Sequence, residues 1–243
     1  MENTGLLVFN KKEELIGTID NGTGSDFEPD ETGSFYFTEA QWVREINGEE
    51  SLTLIMPADH EGAENVVNGN KVGFFDQEGI FHLFEFADTD EEHEEEQFKT
   101  VYCEHVYYEL IDAERIGDIR PQNRSAEYVL QQALTNTNWS VGEVANLGNN
   151  STNFYRENPL SAVQKIVEVW GGQLRWRVET DGQKITGRYV DLLYRVGDER
   201  GKAFIYGDNV ESIQRNIDDT DVKTALYAYG KGEETEGGVM VAV

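Results

Sequence analysis

The chain has a single cysteine, Cys103, in 243 residues, so no intrachain disulfide can staple it and no multi-cysteine zinc site can form. The fold must be held by packing or by association. Basic residues are scarce as well: 20 Lys and Arg stand against 47 Asp and Glu, a formal net charge of −27. The deficit is uneven, since residues 1–112 hold 28 acidic and 5 basic side chains while residues 113–243 hold 19 and 15. A field of that sign repels nucleic acid and anionic lipid at long range, which argues against specific nucleic-acid binding through the first half. No apolar run approaches the length of a membrane-spanning helix, and the opening MENTGLLVFNKKEEL lacks the basic-then-apolar pattern of a secretory signal. The expectation is a protein without a membrane anchor, made and kept in a cytosol or carried in a particle assembled there.

What is present suffices for a core, with 38% hydrophobic and 11% aromatic residues. Residues 1–112 read as an acidic, β-barrel-like domain of successive hairpins. Leu6 to Asn10 pairs with Glu14 to Ile19, and Phe35 to Ile46 pairs with Ser51 to Met56 around Asn47-Gly48, a strong hairpin signal. Val72 to Phe75 pairs with Ile80 to Ala87, and after an acidic tip, DTDEEHEEE (88–96), residues Gln97 to Ile111 read as one long strand. On it Val101, Cys103, His105 and Tyr107 would share a face.

Residues 113–200 read as an α+β module with helices near 126–135 and 159–170. Ser125 is a good cap for the first. The second has Asn158 as cap, Pro159 as first residue, and Leu160, Val163, Ile166, Val167 and Trp170 at helical spacing before Gly171 and Gly172. Leu174, Trp176 and Val178 then alternate with Arg175 and Arg177, and Asp181-Gly182 turns the chain into Ile185 to Leu193. Together with Trp139, the residues Val163, Val167, Trp170, Gly171, Gly172 and Trp176 are the expected structural core. Residues 201–243 return to strands, Ala203 to Tyr206, Val210 to Ile217 and Thr224 to Gly230, as a second barrel-like domain or the completion of the first. The last, GVMVAV (238–243), is apolar up to Val243, which suggests one segment of a longer polypeptide or an end covered by a partner.

No catalytic constellation stands out, and no catalytic or cofactor-binding residue is assigned. Asp88, Asp90, Glu91, His93 and Glu94 could offer ligands to a divalent cation, although a solvated acidic tip explains them as well. Asp20, Asn21 and Asp26 in a glycine-rich loop lack the calcium-loop pattern. Cys103 and His105, two apart on a strand, stand roughly 6 to 7 Å apart, too far for a thiol–base pair. Paired carboxylates leave a glycoside hydrolase open, and Trp42, Trp139, Trp170 and Trp176 could make a sugar platform, but core packing accounts for the tryptophans better.

Four stretches together resemble a known family: Ile46 to Asp59, with I-N-G before a strand ending in P-A-D; the helix from Ser125; S-A-x-x-x-I-x-x-x-W-G-G (Ser161 to Gly172); and D-V-K-T-A-L-Y-A-Y-G-K (Asp221 to Lys231). They look like the N-terminal region of phage and prophage minor structural proteins, the tail-tip hubs also called tail-associated lysins or prophage endopeptidase tail proteins. The resemblance implies a β-rich, α+β fold with small antiparallel barrel or sandwich domains. It also implies a ring, expected to be a homotrimer, that closes the tail tube. Its partners would be the distal tail protein and the tape-measure protein, with the host cell surface reached indirectly. The expected location is the virion tail tip, after assembly in the bacterial host cytoplasm. A peptidase or receptor-binding region follows in such proteins, so this stretch itself is expected to be non-enzymatic and cofactor-free. A cell-wall endopeptidase or glycoside hydrolase, and a carbohydrate-binding module, are the alternatives. The acidic half would then have a purpose, since a lumen lined by Glu91, Glu92, Glu94, Glu95 and Glu96 would not hold passing DNA. Arg175, Arg177, Arg188 and Arg195 are expected to meet the acids of neighbouring subunits.

Overall fold

A computed structural model describes residues 5–20, 35–58, 61–93, 97–197, 201, 205, 233–234 and 240–241. The chain divides into a compact unit that runs to Gly197 and a second unit, Asp198–Val243. In the first unit, local turn chemistry makes the hairpins. Between β1 (Leu6–Phe9) and β2 (Leu15–Asp20), the Asn10 side chain accepts the N–H groups of Lys12 and Glu14 at 2.8 and 3.0 Å. Beyond β2 lies the short β3 (Phe35–Tyr36). The next hairpin joins β4 (Glu39–Arg44) to β5 (Glu50–Pro57), with Asn47 in the left-handed region at φ 58. Asp76 caps the turn from β6 (Lys71–Phe75) to β7 (Phe81–His93) by accepting the N–H groups of Glu78 and Ile80.

The acidic run is strand more than tip. β7 continues to His93 because its backbone pairs with β8 (Gln97–His105), Asp88 opposite Tyr102 and Asp90 opposite Thr100. β8 stops at His105, earlier than the alternating pattern suggests. Val106–Ile111 forms a 3-10 helix whose first turn is capped by His105, Nδ1 accepting the Tyr107 N–H at 3.1 Å. Tyr107 therefore leaves the strand and reaches the tryptophans of the next layer.

The remaining strands and helices follow in order: β9 (Arg124–Ser125), α1 (Ala126–Ala133), β10 (Ser140–Val144), β11 (Asn149–Asn150), α2 (Pro159–Trp170), β12 (Gln173–Thr180) and β13 (Ile185–Leu193). Both helices start as their sequences dictate, Ser125 Oγ accepting the Tyr128 N–H and Asn158 Oδ1 the Ser161 N–H. At the end of α2, Gly171 and Gly172 take φ 78 and 93, and Gly172 lies so close to the Leu193 carbonyl that an added Cβ would stand 2.8 Å from it.

Eleven strands form one sheet that branches at β7. One branch runs β3-β2-β1-β6-β7-β8-β5-β4, antiparallel except between β2 and β3, and curls into a half-barrel. The other, β12-β13-β10, joins at the start of β7 through Val178 and Phe81. The fold is β-rich with two helices, as expected. Two cores result. Inside the curl lie Leu52, Leu54, Met56, Phe84, Phe86 and Val101. The opposite face of β1 and β7, carrying Phe9, Phe81 and Leu83, packs on Leu130, Val163, Ile166, Trp170, Trp139 and Trp176. Of the second unit the described residues include one antiparallel pair, β14 (Glu233–Glu234) with β15 (Met240–Val241). The strands expected between Ala203 and Gly230 lie outside the described residues, Ile205 apart.

The arginines of β12 and β13 do not reach outward for neighbours. Asp191, fully buried, accepts Arg175 Nε at 2.8 Å, Arg177 Nε at 3.3 Å and the Glu143 N–H at 2.7 Å. Arg188 is buried against Glu13 and Glu109. Gly142 admits this carboxylate: a Cβ there would stand 1.9 Å from Asp191 Oδ1. Gly142→Ala must push Asp191 off both arginines, and the expected cost is about 1–3 kcal/mol in urea denaturation. An unchanged midpoint would show that the brace is dispensable.

Candidate functional site

A group of buried polar side chains gathers inside the curl around Glu50. Glu50 begins β5 with its side chain only 3% exposed and gathers groups from three other elements, β4, β7 and the 3-10 helix. Trp42 of β4 donates Nε1–H to Oε1 at 3.2 Å, and Arg44 Nε lies 3.8 Å from Oε2. His82 of β7 places Nδ1 2.8 Å from Oε1, and its Nε2 meets Asp76 Oδ2 at 3.1 Å. The Glu50 N–H donates to the Tyr107 hydroxyl, which donates to the Gly48 carbonyl. Although short, the His82–Glu50 contact lies off the line of a directed ring hydrogen bond.

The electrostatics follow from burial and from these neighbours. Burial pushes the Glu50 carboxyl up, but the His82 contact and the nearby His105, His82 and Arg44 outweigh it and hold Glu50 below the ordinary carboxylate value. Asp76 behaves alike: burial raises it, and His82 with the N–H groups of Ile80 and Glu78 brings it below its usual value. His105 is fully enclosed, and burial pushes it down to about 4 against the pull of Glu50. The Cys103 thiol is pushed up by burial on the same strand face, which makes it inert.

A pH dependence results. His105 has a folded value below its unfolded 6.5, so between about 4 and 6.5 the unfolded chain binds a proton that the native state refuses. Stability is full above that window and falls through it as pH drops, by roughly 3 kcal/mol for a shift of this size. Glu50 and Asp76, both lowered, add to the loss below their unfolded 4.5 and 3.8. His105→Asn keeps an acceptor for the Tyr107 N–H and removes the titration. Urea midpoints measured from pH 7 to 4 should then decline less than in the wild type, and parallel curves would assign the decline elsewhere.

Glu50, His82 and His105 also bring one ligand-type atom each within 4.8 Å of one another. His82 has the carboxylate on its second nitrogen that a metal-binding histidine needs. His105 fails the test. Its Nδ1 accepts the Tyr107 N–H, so the proton of the neutral ring sits on Nε2, and neither nitrogen keeps a lone pair for an ion. The trio is a polar junction of the fold and does not suit a metal.

The junction adjoins a second tie between sequence-distant parts. Asn47 donates Nδ2–H to the Gly172 carbonyl at 3.0 Å and accepts the Leu174 N–H at 2.7 Å, which fixes the β4–β5 turn to the end of α2. Behind it Tyr107 stacks on Trp176 at 4.7 Å, and Trp176 meets Trp139 edge-on at 5.0 Å.

The residues singled out from sequence fall as follows. Asp88 and Asp90 are exposed on β7 and make no cluster with other candidate ligands among the described residues; the side chains of Glu91, Glu92 and His93, and all of Glu94, Glu95 and Glu96, lie outside those residues. Asn21 and Asp26 lie outside them too. Trp139, Val163, Trp170 and Trp176 are buried, Val167 and Gly172 half-buried, and Gly171 exposed. Trp42 differs from the other tryptophans in being 36% exposed, because it covers His82 from the curl's open side. Sequence reading missed Glu50 and His82, and placed His105 on its strand face without its part in this junction. The available signal was each one's place on a strand face of apolar residues, His82 with Phe84 and Phe86, and His105 with Val101 and Cys103.

Residues 113–192 match the family described as prophage endopeptidase tail domain, and residues 198–239 match prophage endopeptidase tail, between them about half of the chain. The chain belongs to the prophage tail proteins. The solved structures agree on the fold. The prophage tail protein gp18 from Listeria monocytogenes EGD-e is 17% identical with a TM-score of 0.50, over 98% of this chain and 66% of that one. The 43 kDa tail protein of prophage MuSo2 from Shewanella oneidensis is 12% identical with a TM-score of 0.51, over 86% of this chain and 58% of that one. The present chain thus spans about two thirds or less of these prophage tail proteins. No curated protein matches it. For this prophage tail protein the coarse role is structural, as a component of the phage tail.

Proposed function

We propose that this prophage tail protein forms the hub at the tail tip, a ring of three copies that closes the tail tube. It would join the tube, with its distal tail and tape-measure proteins, to the parts that recognise or penetrate the host. Assembly takes place in the host cytoplasm. The observation that carries the reading is the match to two prophage endopeptidase tail families on a chain that shares its fold with prophage tail proteins over nearly its whole length. Charge supports it: the acidic run 91–96 of the sequence suits a lumen that must not bind passing phosphates. Gold-labelled antibody against the chain should decorate one end of induced particles, and label along the tube would refute a hub. Lysines at Glu91, Glu92, Glu94, Glu95 and Glu96 should slow DNA ejection from assembled particles; normal ejection would remove the lumen role from that segment.

One observation favours a second reading, the word endopeptidase in the family description. Release of peptides from purified peptidoglycan by the isolated chain would establish it.

A further inference from the structure

Three arginines that make no ion pair among the described residues stand on one surface of the chain. Residues 116–123 run antiparallel to 151–157 as a ribbon beside the helices. Ile116 donates to the Glu157 carbonyl, Ile119 and Phe154 exchange hydrogen bonds, and Thr152 donates to the Pro121 carbonyl. Along it and at its ends stand Arg115, Arg120, Arg124 and Arg156, all exposed. Arg120 is held by Asp118 through two 2.9 Å hydrogen bonds. The other three form no ion pair among the described residues, in a chain with 47 carboxylates. Instead Arg124 lies over the Tyr128 ring at 5.0 Å and Arg156 over the Tyr155 ring at 5.6 Å, and those tyrosines are 41% and 60% exposed. A shallow, open polar hollow of about 370 Å³ on this surface is bordered by Arg120, Gln122 and Ser151 to Asn153. Arginine and tyrosine are the side chains enriched at the centres of protein interfaces.

The complementary surface is the outer face of the half-barrel where the α+β part does not cover it. There Asp88 and Asp90 stand exposed opposite Tyr102 and Thr100, Glu39 lies opposite Ile55, and Tyr102 donates to Glu49. No described Lys or Arg lies among them. Lys99 is buried and gives Nζ–H to the Val66 carbonyl, and Arg44 turns to Glu50. The ribbon and β5 are each on the order of 30 Å long.

We propose that the arginine–tyrosine ribbon of one copy docks on the acidic outer face of β4, β5, β8 and β7 of a second copy. The proposal rests on the ring reading above and names the two surfaces that meet in it. The contact joins two different surfaces, so it propagates head to tail and closes as a ring when the rotation per subunit allows. A second copy is favoured as occupant because this chain supplies both halves of the complementarity, whereas its other strand arginines, Arg175, Arg177 and Arg188, are consumed inside the subunit. Arginine–carboxylate contacts at an interface rim weaken as salt screens them, over about 10 Å at 0.1 M.

Sedimentation of the full chain against concentration and salt tests the contact. The wild type should associate, less so as salt rises, and R124E with R156E should weaken association at least tenfold while the thermal melt of the monomer stays unchanged. Adding D88K and D90K to that variant should restore association. An arginine variant that assembles like the wild type, or a charge swap that restores nothing, overturns the pairing and leaves the ring standing. A wild type that sediments as a single chain throughout overturns both.

Discussion

Trp170→Ala should cost about 3–5 kcal/mol, the usual loss when a large aromatic is removed from a packed core. Trp170 closes α2 with 7% exposure and lies in the same core as Leu130, Val163 and Trp176. Its indole N–H also donates to the Arg124 carbonyl at 3.2 Å, which ties the helix end to β9. Both contributions can be separated. Trp170→Phe keeps most of the ring and loses the hydrogen bond, so about 1 kcal/mol of the total should remain with it. Urea denaturation of the three proteins measures this, and a loss below about 1 kcal/mol for the alanine variant would mean that the stripe on α2 is not core.

Glu50→Ala should be of the same size, for an electrostatic reason. His82 is completely buried, with Glu50 against one ring nitrogen and Asp76 hydrogen-bonded at the other. Deleting the buried carboxylate takes from His82 and Arg44 the group they face and leaves a hole between them, typically at about 3–5 kcal/mol. The Trp42 N–H loses its acceptor as well. If this is the mechanism, Glu50→Leu combined with His82→Leu should destabilise less than Glu50→Ala alone, since an apolar pair of similar volume removes both facing polar groups and leaves no hole. A double variant as unstable as the sum of its singles would show that the two residues act independently.

The same residues show how far the sequence could be read. Asn47-Gly48, Asp181-Gly182 and Asn158-Pro159 each announce a turn or helix start through chemistry confined to a few neighbours, and the structure has those elements where expected. The end of β8 and the continuation of β7 were not legible. A cap made by His105 decides the first, and strand pairing with β8 decides the second. The Glu50 junction was hidden for a related reason. Its members come from β5, β7 and β8, and only the non-local register that sets β8 between the other two brings them together. Asn47 carried a double meaning: a residue chosen for positive φ in a turn also uses its amide to hold Gly172 and Leu174. Arg175 and Arg177 misled because alternation places them outward, while Asp191, a carboxylate on the neighbouring strand, recruits them.

The central claim is that this prophage tail protein works as a ring of copies at the tail tip. The most direct test is the mass of the full chain in solution by light scattering over a wide range of protein concentration at low salt. The account predicts a species of three times the 27.6 kDa chain mass. A mass of one chain at every concentration would contradict it.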